Sequence, residues 1–131
     1  MTRMRHASGM HTSRHTEDLA ADWIDAWNRR DLNAILRHYA DDVWFEAPTV
    51  VVRWGREDGV LRGKTELREH FRRGMEMTPE LKFTLEEVFV SPGGYALLYR
   101  RENGNRVVEV VELDDAGKIC RGRALYSGPQ R

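Results

Sequence analysis

Apolar positions recur along this chain with two different periods, and the change from one to the other divides it. Leu19, Trp23 and Trp27 repeat every four residues with Ala20 and Ile24 beside them, which predicts a helix with one buried stripe. Thr16 suits its N-cap, and Glu17 and Asp18 suit the positive end of its dipole. Asp31 caps a second, short helix, in which Leu32, Ile35, Leu36 and Tyr39 fall at i, i+3, i+4 and i+7. A third follows "RGKT", with Leu67, Phe71 and Met75 on one face. From there the period shortens to two. "KFTLEEVFV", "YALLYRRE", "RVVEVVEL" and "KICRGRALYS" read as four strands, separated by the turn-forming "SPGG", "NGN" and "DDAG". Between second and third helix, "VWFEA" reads as a short strand stopped by Pro48, and "VVVRW" as a second strand before the loop "GREDG". Residues 1–15 lack periodicity and are expected to form a flexible arm. His11 and His15 stand four apart there without a carboxylate or third ligand, so no metal site is expected. Helices first and an antiparallel meander last predict an α+β fold, with helices packed on one face of a curved sheet, as a single domain over 16–131.

The turns also predict a register. A two-residue Asn103-Gly104 turn puts Arg100 opposite Val107 and Leu98 opposite Glu109, making Arg100 and Glu109 diagonal neighbours. A four-residue "DDAG" loop puts Leu113 opposite Lys118 and Glu109 opposite Gly122. The last strand then shows Cys120, Gly122, Ala124 and Tyr126 on one face, and Ile119, Arg121, Arg123 and Leu125 on the other. Small residues where a core needs volume predict an apolar cavity, with Glu109 as the ionisable group on its wall. A tight Arg100–Glu109 pair would keep Glu109 ionised; without it, burial would raise the carboxyl pKa towards neutrality.

Charge and composition narrow the classes. The 131 residues carry 21 Lys and Arg against 21 Asp and Glu, without the basic excess of a nucleic-acid binder. Cys120 is the one cysteine, which leaves no internal disulfide and no cysteine-based zinc site. No apolar run reaches membrane-spanning length, and no signal segment opens the chain. A cytoplasmic location, without membrane or nucleic-acid partners, is the expectation.

The ordered set "RDLNAILRHYADDVWFEAP…GKTELREHFRRG…LDDAGKI" resembles the SnoaL-like branch of the nuclear transport factor 2-like superfamily, related to ketosteroid isomerases. The resemblance covers Thr16 to Ser127. It implies a cone-shaped half-barrel, a mostly antiparallel sheet around three helices of the N-terminal half, usually a homodimer, with a deep apolar pocket. Family members include isomerases, cyclases, dehydratases, epoxide hydrolases and proteins that only bind or assemble. In ketosteroid isomerases the residue before this proline is the aspartate that moves the substrate proton; here it is Ala47, which argues against that activity. The first-helix tyrosine falls at Trp23, the supporting tyrosines at Tyr39 and Phe71, the acidic partner at Glu109, and the last-strand aromatic wall at Tyr126. Alternation along the strand turns Glu46 to the opposite face.

The candidate catalytic groups are therefore Glu109 with Arg100. The candidate pocket is Trp23, Trp27, Tyr39, Phe45, Ala47, Phe71, Leu98, Glu102, Gly122, Ala124 and Tyr126. Arg53 and Trp54 form either a rim over the pocket or an oligomer contact. His70 is assigned a surface role beside Glu66, and His38 the end of the second helix. Two functions stay open. One is a cofactor-independent, polyketide cyclase-like isomerase, cyclase or dehydratase acting on a small apolar molecule, with Glu109 as acid or base. The other is a ligand-binding or dimerisation domain without chemistry.

Overall fold

The computed structural model describes residues 3–128, with side chains from His15 onward. Helix α1 spans Arg3–Asn28, α2 Leu32–Leu36, α3 Pro48–Trp54 and α4 Lys64–Met77. Strands are β1 Tyr39–Glu46, β2 Val60–Arg62, β3 Thr84–Ser91, β4 Gly94–Arg100, β5 Arg106–Leu113 and β6 Ile119–Tyr126. They form one sheet in the order β2-β1-β6-β5-β4-β3. Every pairing is antiparallel except β1 with β6. The sheet curves without closing, and the helices fill its concave side. This is the α+β fold that the change of period predicts, in the cone shape that the resemblance implies.

Three local expectations differ. Helix α1 starts at Arg3, so the backbone is helical through most of the segment expected as an arm. Thr16, expected as the N-cap, lies within the helix and is buried. The reading of the His11/His15 pair falls outside the described residues, since the His11 side chain is not among them. The "VVVRW" segment is helical, not a strand. Pro48 sits in the first turn of α3, where its missing N–H costs nothing, and Gly55 closes the helix at φ 67°. Those two stops, with Thr49 and Val50 buried, override the strand preference of three valines. Finally, Tyr39 opens β1 instead of ending α2, which stops at Leu36 after the Asp31 side chain caps Ala34 N–H at 3.1 Å.

The helices are tied to the sheet by specific polar contacts as well as by apolar burial. The Asn28 amide, at the end of α1, donates to Phe83 carbonyl (2.9 Å) and accepts from its N–H (2.8 Å). Arg30, held at φ 59°, reaches the last carbonyls of α4, donating to Met75, Thr78 and Pro79. Cations belong at that negative helix end. Among the described residues, no helix is long and apolar enough to cross a membrane.

The β4–β5 hairpin carries the most consequence. Its closing loop contains three residues, Glu102, Asn103 and Gly104, between the Arg101 and Asn105 backbone pair, with Gly104 left-handed at φ 88°. That length, not the two residues expected, shifts the register by one. Arg100 pairs with Arg106, Tyr99 with Val107, Leu98 with Val108, and Leu97 with Glu109. A one-residue slip exchanges the faces of a strand. The second hairpin also differs: a bulge at Cys120 pairs Leu113 with Ile119 and Glu109 with Ala124, and it turns Ile119 into the core instead of outward.

Gly94 holds the far end of the β4–β5 pair. A Cβ built there would lie 1.9 Å from the Val111 carbonyl oxygen and 3.0 Å from Glu112 Cα, both backbone atoms that cannot rotate away. Gly94→Ala is expected to destabilise the fold by roughly 3 kcal/mol or more in chemical denaturation, against about 1 kcal/mol for an ordinary substitution. A loss within that ordinary range would show that the strands part freely here.

Candidate functional site

The shifted register decides the neighbours of Glu109. Leu97 and Tyr99 turn inward beside it, while Arg100 turns outward and pairs with Glu86. Of the two alternatives for Glu109, the Arg100–Glu109 pair does not form, and Leu98 lies on the outer face, so neither Arg100 nor Leu98 belongs to the site. Glu109 is 5% exposed, and its hydrogen-bond partner is the Tyr99 hydroxyl, which donates to Oε2 at 2.9 Å. One phenol does not offset the loss of water. Burial raises the Glu109 carboxyl to about 8, against a smaller lowering by the Tyr99 bond. At neutral pH it is mainly a neutral carboxylic acid. Tyr99 occupies one oxygen, leaving the other to carry the proton.

Glu109 borders a cavity of about 40 Å³ walled by Trp27, Phe45, Phe71, Phe83, Tyr99 and Tyr126. That is room for very few waters, far short of a steroid. The expected deep pocket is thus largely filled. Rings crowd it, with Trp27 edge-on to Phe71 at 4.9 Å and Phe83 tilted against Tyr99 at 4.5 Å between centroids. The Phe45 ring lies over Gly122, 3.4 Å from where a Cβ would stand, taking up the space small residues were expected to leave. Outside lies a broader depression of about 470 Å³, lined by Thr49, Glu102 and Asn105 among others. Arg53, Arg101 and Tyr126 belong to both spaces, so the two meet at those three side chains.

A chain of donors reaches that junction from α3 and α4. The Trp54 indole N–H donates to His70 Nδ1 at 3.2 Å. An indole can only donate, so Nδ1 is the acceptor and the ring proton sits on Nε2, facing Thr49 Oγ1 at 3.1 Å. Thr49 is hydrogen-bonded in turn to Tyr126. With His70 Nε2 donating to it, Thr49 keeps its own hydroxyl proton free for Tyr126. Burial first, then Arg53 and Arg73, lower His70 to about 3, so it is a neutral relay throughout the physiological range.

Of the expected pocket residues, Trp27, Phe45, Phe71, Tyr126 and Glu109 meet at the cavity. Trp23 and Tyr39 are packed in the core, joined by an indole-to-phenol hydrogen bond of 3.0 Å, and do not line it. Ala47 is buried as the residue before α3, and Ala124 faces Glu109 across the strands; neither lines the cavity. Glu102 lies in the outer depression, paired with Arg101 at 3.2 Å. Glu46 points outward to Arg123, as alternation predicts. Arg53 is a rim residue, as one of its two readings holds. His38 bonds Asp22 at 2.8 Å. His70 is the clearest correction: it is 3% exposed inside the cone, because Glu66 engages Arg56 through both oxygens (2.8 and 2.9 Å) and leaves it to Thr49. Tyr99, Phe83 and Arg101 were not singled out; the one-residue register error concealed Tyr99, and no spacing signal marks the other two.

The two buried ionisable groups set opposite pH limits. Glu109 has a native pKa above its unfolded value, so its contribution is full below about 4.5 and lost as pH rises towards about 8. His70 has a native pKa below its unfolded value, so its contribution is full above about 6.5 and lost as pH falls towards about 3. Between 4.5 and 6.5 these slopes oppose each other, which predicts a plateau there and an alkaline decline above it. Glu109→Gln should remove that decline, gaining on the order of a few kcal/mol relative to the parent at pH 8. Parallel denaturation curves for parent and variant from pH 5 to 8 would refute a buried, uncompensated carboxyl.

Comparison with known proteins agrees with this architecture. The family model for the SnoaL-like domain matches residues 20–122. A SnoaL-like protein of unknown function from Burkholderia thailandensis is 33% identical, with a TM-score of 0.83 over 86% of this chain and 94% of that one. An NTF2-like protein of unknown function from Burkholderia pseudomallei is 21% identical, with a TM-score of 0.68 over 86% and 90%. The Mycobacterium tuberculosis protein RV0760c, solved in complex with estradiol-17β-hemisuccinate, is 22% identical, with a TM-score of 0.68 over 86% and 93%. No curated protein matches. By the domain match and the 33% relative, this chain belongs to the SnoaL-like family.

Proposed function

We propose that this protein holds a small organic molecule at the mouth of its cone and that Glu109 serves it as a proton donor. The class of reaction is a cofactor-independent isomerisation, cyclisation or dehydration. The observation that carries this reading is Glu109 itself: a buried carboxyl at the cavity wall, bonded to a phenol and, among the described residues, with no cation in ion-pair contact. A group poised near neutral pH is what general acid catalysis requires. The volumes suggest the pose. The body of the ligand occupies the outer depression, and one oxygen enters the inner cavity. There it meets the Glu109 acid and the Tyr126 hydroxyl, which the Trp54–His70–Thr49 chain orients. Ala47, at the position where ketosteroid isomerases carry their base, argues against that particular reaction. The steroid ester bound by RV0760c supports a small-molecule role for the cone without fixing the substrate. The inner volume of about 40 Å³ favours the second reading, a binding domain without chemistry.

Carbon-13 NMR of the Glu109 carboxyl, with and without a panel of steroid-like and polyketide-like compounds, separates the two. The catalytic reading expects titration near 8 and a perturbation of that signal by a binder. Titration at an ordinary 4 to 5 would exclude Glu109 as the acid. A normal shift to 8 with binders that leave its signal unmoved would favour the non-catalytic reading.

The outer sheet face supports a homodimer. Phe89, Ala96 and Val110 form one cross-strand row, and Leu98, Val108 and Leu125 a second beside it. Phe89, Val110 and Leu125 are exposed, and Ile119, once expected among them, is not. An apolar face of this kind on a free chain favours association. Light scattering at micromolar concentration should give twice the chain mass, and Val110→Glu should give the monomer. A monomeric parent would remove the dimer.

A further inference from the structure

The protein's unsatisfied buried donors are not scattered. Among the described residues, the buried side-chain nitrogens without a hydrogen-bond partner are Trp27 Nε1, Arg53 Nε and Arg101 Nε. All three residues line the one cavity that Glu109 borders. An unpaired buried donor is costly, and most native structures keep few of them, so three such residues around one small space are an unusual concentration. The charges agree. Arg101 has Glu102 beside it at 3.2 Å, whereas no carboxylate lies within ion-pair distance of Arg53. Burial disfavours its charge, and its charged neighbours Arg101 and Arg73 disfavour it further. Its guanidinium packs instead on Gly74, 3.0 Å from where a Cβ would stand. A Cβ there would ask the flexible end of the arginine to give by a few tenths of an ångström. Residue type on α3 gives the same placement: Thr49 and Arg53 are one turn apart and face the same junction.

From this convergence we propose that the ligand is an organic anion, a planar ring system bearing a carboxylate, whose carboxylate is bound by Arg53 and Arg101 at the junction of the two spaces. A guanidinium fork matches a carboxylate with paired, charge-assisted hydrogen bonds. Tyr126, which borders both spaces, supplies flat apolar surface for a ring lying in the outer depression. The acids in the outer depression do not compete for Arg53: Glu102 is engaged by Arg101, and Glu80 stands exposed at the rim. The inference rests on the proposed function, since it names the ligand class for that same site.

The test is a matched pair of probes, 2-naphthoate and 2-naphthamide, titrated calorimetrically against the full chain and against Arg53→Met, which keeps the apolar stem. The parent should bind the acid about tenfold or more tightly than the amide, and Arg53→Met should abolish that preference while still binding the amide. Glu109→Gln should keep it. Equal binding of acid and amide would overturn the anion proposal and leave a neutral-ligand site standing. Binding of neither would remove the ligand site as well. Inorganic phosphate binding as tightly as naphthoate would replace the ring carboxylate with a simple anion. Folding provides an independent check. Removing an unpaired half-buried cation should leave the thermal midpoint of ligand-free Arg53→Met unchanged or higher; a drop of several degrees would make Arg53 a structural residue and overturn the assignment.

Discussion

The site depends on one turn of backbone. With three residues in the β4–β5 loop and Gly104 left-handed to close it, Glu109 faces inward beside Tyr99, and Arg100 faces out to Glu86. A two-residue loop would have paired Arg100 with Val107 and put it on the inner side. The carboxyl would then have met a guanidinium and stayed ionised. What separates a structural ion pair from a poised acid in this protein is therefore a loop length, not the identity of Glu109. The bulge at Cys120 acts likewise on the other side of β5, bringing Ile119 into the core and setting Ala124 opposite Glu109. Ala124 is too small to cover the carboxyl, so the aromatic rings must.

Those rings explain both the burial and the small volume. Gly122 and Ala124 do leave room on the concave face, as their size predicts, but Phe45 moves over Gly122 and Phe71 closes on Phe45 and Trp27. Space opened by small residues in one strand is taken by large ones from its neighbour, which keeps the interior near ordinary packing density. The outcome is a narrow hollow that desolvates Glu109 strongly. A wider one would let water in and return the carboxyl towards its usual range. Tight packing and the raised pKa are one effect.

Much of this was legible in the sequence, and the failures have physical causes. Periods of four and two placed α1, α2, α4 and the four closing strands, because amphipathic burial writes itself into spacing. Glu109 was legible as an inward acid because its whole strand alternates. The α3 helix was not: three consecutive valines read as a strand, and only the Pro48 start and Gly55 stop show otherwise. His70 was misplaced because its i−4 neighbour Glu66 offered a local partner, while the real competitor, Arg56, lies across the "GREDG" loop that spacing does not fold. Arg53 and Arg101 belong to segments whose approach is a property of the closed cone alone. Periodicity reports which face a residue takes; it does not report which residues two faces bring together.

The interior then shows a consistent choice between charges. Glu109 and His70 can each shed their charge by gaining or losing a proton, and burial makes both do so near neutral pH. Arginine has no such exit, since its guanidinium stays protonated in proteins. Desolvation therefore neutralises Glu109 and His70 inside the cone and leaves Arg53 charged at its mouth, beside the Arg101–Glu102 pair. A neutral acid within and fixed cations at the rim form a gradient: an anionic group is favoured at the rim, and only an uncharged oxygen is favoured deeper in. A molecule carrying both, a carboxylate at one end and a carbonyl or hydroxyl at the other, fits that order in one orientation only. Reversed, it would set a carboxylate against the wall that Glu109 itself cannot share as an anion.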